Sequence, residues 1–416
     1  MPERRFPDGF LWGASTAAHQ VEGGLTNDWD AWEREHATRL ASEAERKFCQ
    51  LCPVWDEIKS EATDPASYIA GRTDEHWERF DADVALMREL NLTAYRFSID
   101  WSRMEPREGE YDAGAIARYG QMVATLRQNG IEPFVTLWHW PVPLWLRDKG
   151  GWEWSGTPAA FEAFVRAIVP VLAPSVRYWI TLNEPNVYAT FSYLTGDWPP
   201  GRKSVVAHER VLKRLQAAHR RAYRAIKSLQ PTAQVGVAPQ ITDVQSGDGS
   251  LVTRAHRWLA DWLWNRRFLQ SIRTELDFVG ANIYGRNVIR GLTRNQNENR
   301  VRSDLGWELY PPAMLGALRV AGSFDKPVYI TENGLADRND THREWFIRET
   351  LEYVHQAIEE GIDVRGYLHW SLMDNFEWDK GFWPRFGLIE VDRQTLERRV
   401  RPSARTYARI ARTNAL

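Results

Sequence analysis

Runs that read as β-strand alternate with runs that read as helix eight times along this chain, with no linker, repeat or low-complexity segment between them. The strand-like runs are Phe10–Ala14, Thr93–Ile99, Pro133–Trp138, Arg177–Leu182, Val235–Ala238, Phe278–Ile283, Pro327–Thr331 and Val364–Trp370. Between them, apolar residues recur at helical spacing. Examples are Trp77, Phe80, Val84, Met87 and Leu90, then Ile116, Tyr119, Met122, Val123 and Leu126, and then Phe161, Phe164, Val165, Ile168 and Leu172. Asn91 and the pair Asn129-Gly130 punctuate the first two, as helix stops do. Eight alternations favour an α/β fold, a closed (β/α)8 TIM barrel in a single domain over residues 1–416, with an open doubly wound sheet as the alternative. No strand is followed by a G-x-G-x-x-G or P-loop pattern, which counts against a nucleotide-binding sheet. The stretch from Ala37 to Thr73 shows the least periodicity. Its length predicts an irregular excursion on the barrel's active face rather than an ordinary loop.

A net charge of −2 gives no overall electrostatic footprint for nucleic acid or an anionic membrane. The charged start, Met1-Pro2-Glu3-Arg4-Arg5, has no apolar run behind it, and no run of about 20 apolar residues occurs anywhere. The expectation is a cytoplasmic protein with no membrane and no nucleic-acid partner. The two cysteines, Cys49 and Cys52, form a lone C-x-x-C with no second ligand pair at zinc spacing, and read as inert or merely oxidisable thiols rather than a redox or half-zinc site. Aromatic content is high, with 21 Trp, 14 Tyr and 16 Phe. Most of these rings fill a core, but several Trp stand beside polar residues at strand ends. A flat ring next to hydrogen-bonding groups suits a sugar, which has C–H faces and a hydroxyl rim.

In a (β/α)8 barrel the C-terminal strand ends converge on one mouth, where the active site lies. The polar residues placed there are Gln20, Arg96, His139, Asn183, Glu184, Asn282, Tyr284, Glu332 and Trp370. Two carboxyls facing each other across such a mouth are the minimum equipment for glycoside hydrolysis. Glu184, between Asn183 and Pro185 and near several Trp, has the partly apolar setting that raises a carboxyl pKa. Glu332 lies where Arg96 and Tyr284 could reach it, and a cation with a hydroxyl donor keeps a nucleophile ionised.

The segments around these two glutamates carry a resemblance. Thr181-Leu182-Asn183-Glu184-Pro185 resembles the T-x-N-E-P signature of glycoside hydrolase family 1, and Ile330-Thr331-Glu332-Asn333-Gly334 resembles its I-T-E-N-G signature. Further matches follow in the family's order: Gln20-Val21-Glu22-Gly23, Tyr95-Arg96-Phe97-Ser98-Ile99, Leu137-Trp138-His139-Trp140, Asn375-Phe376-Glu377-Trp378 and Arg385-Phe386-Gly387-Leu388. The resemblance implies a β-glucosidase-like enzyme, retaining and exo-acting, with a small β-glycoside or oligosaccharide as substrate and neither metal nor organic cofactor. It assigns the acid/base role to Glu184 and the nucleophile role to Glu332. Gln20, His139, Asn183 and Glu377 would hold sugar hydroxyls, with Trp378 near the same rim and Trp370 stacked under the ring. Arg96, Tyr284 and Asn282 would support Glu332, Trp307 would line the leaving-group side, and Phe386 would back the site.

Four positions depart from the family pattern: Asn186, Trp198, Ile283 and Trp383, all expected at the rim or leaving-group side. Glu377, read as an anion, argues against a 6-phosphorylated sugar, with Lys380 and Arg385 serving structure or rim. Unphosphorylated β-glucosides are the expected substrates, with β-galactosides and β-fucosides secondary. A transglycosidase on the same scaffold remains an alternative, as does a non-catalytic sugar-binding barrel. A metal-dependent hydrolase is disfavoured, because His139 is the single obvious ligand at a strand end.

Overall fold

The computed structural model describes residues 4–416. Its centre is a closed barrel of eight parallel strands: β1 (Leu11–Thr16), β2 (Ala94–Ser98), β3 (Glu132–Thr136), β4 (Tyr178–Asn183), β5 (Gln234–Ala238), β6 (Phe278–Asn282), β7 (Val328–Asn333) and β8 (Val364–Trp370). Each strand pairs with its sequence neighbours, and β1 closes the ring on β8, Leu11 facing Gly366 and Ser15 facing Trp370. The eight strand-like runs in the sequence are these eight strands. Two short ribbons lie outside the barrel, one pairing Asp243–Ser246 with Arg286–Ile289 and one pairing Ile389–Val391 with Arg398–Val400.

Period-two alternation divides the strand residues between two environments. One set meets the surrounding helices. Helix Thr157–Leu172, with Pro158 in its first turn, buries Phe161, Phe164, Val165, Ile168 and Leu172 on one face. Helix Ala113–Gln128 is capped by Asp112, which accepts from the Ala115 amide at 2.9 Å, and it stops where Gly130 takes φ +73°. The other set points inward. There Phe134, Tyr178, Phe278 and Tyr329 pack ring against ring, with centroids 4.3–6.3 Å apart, and fill the lower barrel.

One step nearer the C-terminal ends, the inward positions turn polar. Ala94 is followed by Arg96 on β2, Phe134 by Thr136 on β3, and Phe278, past Gly280, by Asn282 on β6. On β4 strict alternation from Ile180 would aim Leu182 inward. A register shift between Ile180 and Asn183 sends Leu182 into the outer core and Asn183 into the barrel, as bulges beside active sites do.

Residues 37–73 correct the expectation of irregularity. Helix Asp28–Phe48 runs into this stretch, and helix Trp55–Ala62 and a 3-10 turn at Pro65–Tyr68 follow. Asn27 caps the first, its Oδ1 accepting from the amides of Trp29 and Asp30, each at 3.0 Å. The sequence hides this helix because its buried side beyond Trp32 is mostly alanine, namely Ala37, Ala41 and Ala44 around Leu40. Such a stripe has little hydrophobic contrast, although alanine is the best helix former. Glu61 then pairs with Arg338 and Arg385, which lie on the loops after β7 and β8. The hairpin therefore sits against loops that leave the C-terminal end of the barrel.

Candidate active site

Arg96 is the hub of the barrel mouth. Its guanidinium is fully buried and donates Nε to Thr136 Oγ1 at 3.1 Å, Nη1 to Glu332, and Nη2 to Asn183 Oδ1 at 2.6 Å. Three strands are thus joined to β2 through one planar cation, whose fork geometry suits several acceptors at once. Glu332 accepts a second bond at Oε2 from the Tyr284 hydroxyl at 2.8 Å. Glu184, one residue past β4, adopts the left-handed conformation with φ +41°, and its amide donates to the Ala238 carbonyl at 2.7 Å. Its carboxyl accepts from Asn282 Nδ2 at 3.0 Å.

The two carboxyls differ electrostatically. Burial, and then the charge of Glu332, hold Glu184 well above the ordinary carboxylate range. Burial also raises Glu332, but Arg96, Tyr284 and Asn282 all pull it back. The pair cannot easily hold two negative charges. With a guanidinium at contact distance, the one charge belongs on Glu332.

The same network fixes a proton on His139. Asn183 Oδ1 accepts from Arg96 and from Asn282 Nδ2 at 3.1 Å, so the Asn183 Nδ2 side faces His139 Nε2 at 2.9 Å and donates to it. Burial, and then Arg96, push His139 well below its usual pKa, so the ring is neutral and carries its hydrogen on Nδ1. That Nδ1 has no partner among the described residues, and neither has Gln20 Oε1, although both are buried. Gln20 spends its amide on Asn375 Oδ1, on the Phe376 carbonyl and, at 3.3 Å, on Glu377 Oε2.

Aromatic walls surround these groups. Trp370 stacks on His139 at 5.9 Å and 26°, and a Cβ at Gly334 would lie 1.8 Å from the Trp370 carbonyl oxygen, so the signature after Glu332 must end in glycine. Trp378 stacks on His139 at 6.0 Å and on His19 at 5.6 Å. Trp307 is 44% exposed and meets Tyr284 edge-on at 6.0 Å and buried Phe386 at 6.2 Å. All thirteen residues expected at the site thus gather at this end of the barrel.

Sequence reasoning missed Thr136, which anchors Arg96, and a tryptophan cluster in which Trp29 and Trp140 pack on Trp378 at 4.6 and 4.5 Å. Trp140 follows His139 directly, and that adjacency was the available signal. All four departures are buried, and two of them, Ile283 and Trp383, need correction as rim residues. Trp383 is inaccessible and packs on Phe48, and Ile283 joins the core. Trp198 gives Nε1 to Asp379 at 3.0 Å, and Asn186 clasps the Gln240 and Trp264 carbonyls. Glu377 differs from the anion expected, since burial pushes its carboxyl up to about 8. Among the described residues, no group of three or more His, Cys, Asp or Glu is arranged to hold a metal ion, and no helix is long and apolar enough to cross a membrane.

A one-ended parallel barrel with two unequal buried carboxyls and aromatic walls is the architecture of a sugar-processing hydrolase. Known proteins make this specific. The glycosyl hydrolase family 1 model matches residues 2–246 and 265–416. The structure of a β-glycosidase from Pyrococcus horikoshii is similar at a TM-score of 0.88 and 35% identity, over 100% of this chain and 96% of that one. Beta-glucosidase A of Acetivibrio thermocellus is 28% identical over 470 residues, covering 100% of both chains. A beta-galactosidase of Sulfolobus acidocaldarius is 29% identical over 99% of this chain and 96% of its own. The chain belongs to glycosyl hydrolase family 1. It is a β-glycosidase.

Proposed function

We propose that this β-glycosidase is a retaining, exo-acting enzyme on unphosphorylated β-glucosides, with β-galactosides and β-fucosides as secondary substrates. The observation that carries the reading is the unequal support of the two carboxyls. Glu332 has a buried guanidinium and a phenol donating to it, whereas Glu184 has one neutral amide. In the first step the Glu332 carboxylate bonds to the anomeric carbon while Glu184 gives its proton to the departing glycosidic oxygen. In the second, Glu184 takes a proton from water as the oxygen of that water displaces Glu332 from the anomeric carbon. Retaining chemistry of this kind needs carboxyls about 5–5.5 Å apart. Transfer to an alcohol in place of water uses the same two steps.

The remaining groups suit an uncharged sugar. His139 Nδ1–H is a donor and Gln20 Oε1 an acceptor, both without partners among the described residues, and each would gain a bond from a ring hydroxyl. Asn183 and Glu377 complete this hydroxyl-binding side, Trp370 offers a flat face to the ring, and Trp307 lines the leaving group. The argument against a 6-phosphate rests on the nearby cations rather than on a charge at Glu377. Lys380 is paired with Asp379 at 2.5 Å and Arg385 with Glu61 at 2.8 Å. A phosphate near −2 would have to compete with these carboxylates for either cation. Relatives named for glucoside and galactoside hydrolysis fit the same preference. The deciding measurement compares kcat/KM for nitrophenyl β-glucoside and its 6-phosphate, with NMR of the first-formed anomer. Preference for the phosphate overturns the substrate, and initial release of the α-anomer overturns the mechanism.

A further inference from the structure

Helix Leu251–Asp261 and its continuation through Arg266 are oriented the reverse of a normal surface helix. The buried side is small and partly polar, with Thr253, Ala260, Asp261 and Asn265. The solvent side carries Leu251, Val252, Trp258, Leu259, Trp262 and Leu263, with Leu251 79% and Trp258 61% exposed. At 3.6 residues per turn these positions fall on one side of the helix and form one continuous face. Leu292, 80% exposed, stands on the neighbouring loop, which is fastened to the helix where the Gly291 amide donates to Thr253 Oγ1 at 2.7 Å. Scattered exposed apolar residues need no explanation, but a contiguous face of this kind marks an interaction site.

The charged residues that border the face are mostly basic. Between Gly247 and Arg267 stand four arginines against two aspartates, in a chain whose net charge is −2. Arg266 is paired with Asp261 and Arg267 with Glu209. Arg254 and Arg257 have no ion-pair partner among the described residues, nor do Arg290 and Arg294 on the loop that bears Leu292. The family match, meanwhile, breaks off at residue 246 and resumes at 265, so this face lies on a segment outside the shared pattern.

We infer that this helix docks the enzyme on an anionic lipid surface, with its tryptophans and leucines among the acyl chains and its arginines against the headgroups. A Trp- and Leu-rich face bordered by arginine is the composition of a helix that lies in a membrane interface without spanning it. A second copy seated about a twofold axis would bring the same arginines together, with no acidic cluster on this segment to meet them. The whole-chain charge balance, which argues against a membrane, averages this patch away. Asn186, two residues after Glu184, binds the Trp264 carbonyl at 3.3 Å, so the docking helix adjoins the mouth.

Flotation with vesicles of phosphatidylcholine alone, and of equal parts phosphatidylcholine and phosphatidylglycerol, tests this directly. The full chain floats with the anionic vesicles and is released by salt. Trp258→Ser with Leu259→Ser abolishes flotation, and Arg254→Glu with Arg257→Glu weakens binding by roughly fivefold or more for each arginine removed. Both variants keep the wild-type rate on a soluble aryl glucoside, because none of these side chains belongs to the site. Failure of the wild type to float, or flotation unchanged in both variants, overturns the inference. So does a wild-type dimer in sedimentation velocity that Trp258→Ser with Leu259→Ser converts to monomer, since a second copy then covers the face.

Discussion

Replacing Tyr284 by phenylalanine removes one oxygen atom and leaves the ring against Trp307 in place. The lost contact is the 2.8 Å hydrogen bond from the phenol to Glu332 Oε2. A hydrogen bond to a charged group contributes about 1.5–3 kcal/mol, because the ionised acceptor is otherwise left under-solvated. Arg96 still faces the other oxygen, so the carboxylate is weakened but not abandoned. The sign follows from the proposed role. Glu332 acts ionised, and losing a donor to the ionised form raises its pKa. At about 1.36 kcal/mol per pKa unit, the acid limb of kcat/KM moves up by roughly one to two units. If the same bond is what holds Glu332 in line for attack, kcat/KM at the optimum falls by about tenfold to a hundredfold. The assay is the pH profile of kcat/KM on nitrophenyl β-glucoside, wild type against Tyr284→Phe. An acid limb that stays in place refutes the reasoning, since the phenol would then not be supporting the charge on Glu332. An alkaline limb that moves instead reverses the roles of the two glutamates.

Further outcomes follow from the same geometry. Glu332→Gly stops formation of the glycosyl-enzyme, and azide restores turnover with an inverted product; Glu184→Ala costs far more on poor leaving groups than on activated aryl glycosides. Burial and the Glu332 charge raise Glu184, so activity is lost as pH climbs through its pKa, and Glu184→Gln removes that alkaline limb. Phe161→Ala empties an inaccessible site between the helices and destabilises the fold by about 3–5 kcal/mol in denaturant titration, leaving kcat on remaining folded enzyme unchanged.

The barrel was legible because its strands are apolar and bounded, and because Glu184 and Glu332 sit inside segments that resemble family signatures. Periodicity served less well where a helix buries alanine. Around Ala37, Ala41 and Ala44 the contrast between faces is too small to register, and local propensity was the better guide. Within the site, sequence placed the polar residues at strand ends but could not show which atoms they leave free. That Nδ1 of His139 carries the proton depends on Asn183, which depends in turn on Arg96 and Asn282, three strands brought together by closure of the barrel. The environment of Glu377 was misjudged for a related reason. Burial is a property of everything packed around a carboxyl, and no motif of four residues encodes it.

The ring-packed floor of Phe134, Tyr178, Phe278 and Tyr329 fills the lower barrel, so a sugar reaches the carboxyls from the mouth. Traffic through it therefore has an order. Under the proposed exo-acting, retaining mechanism, a glycoside enters sugar first, and its aglycone stands in the doorway. The aglycone departs before water can take its place, and the sugar, lodged deepest, is the last to go. Any free monosaccharide that re-enters occupies the same inner berth as the next substrate. Competitive inhibition by the product sugar is thus a property of the closed floor, whatever the loops around the opening prefer.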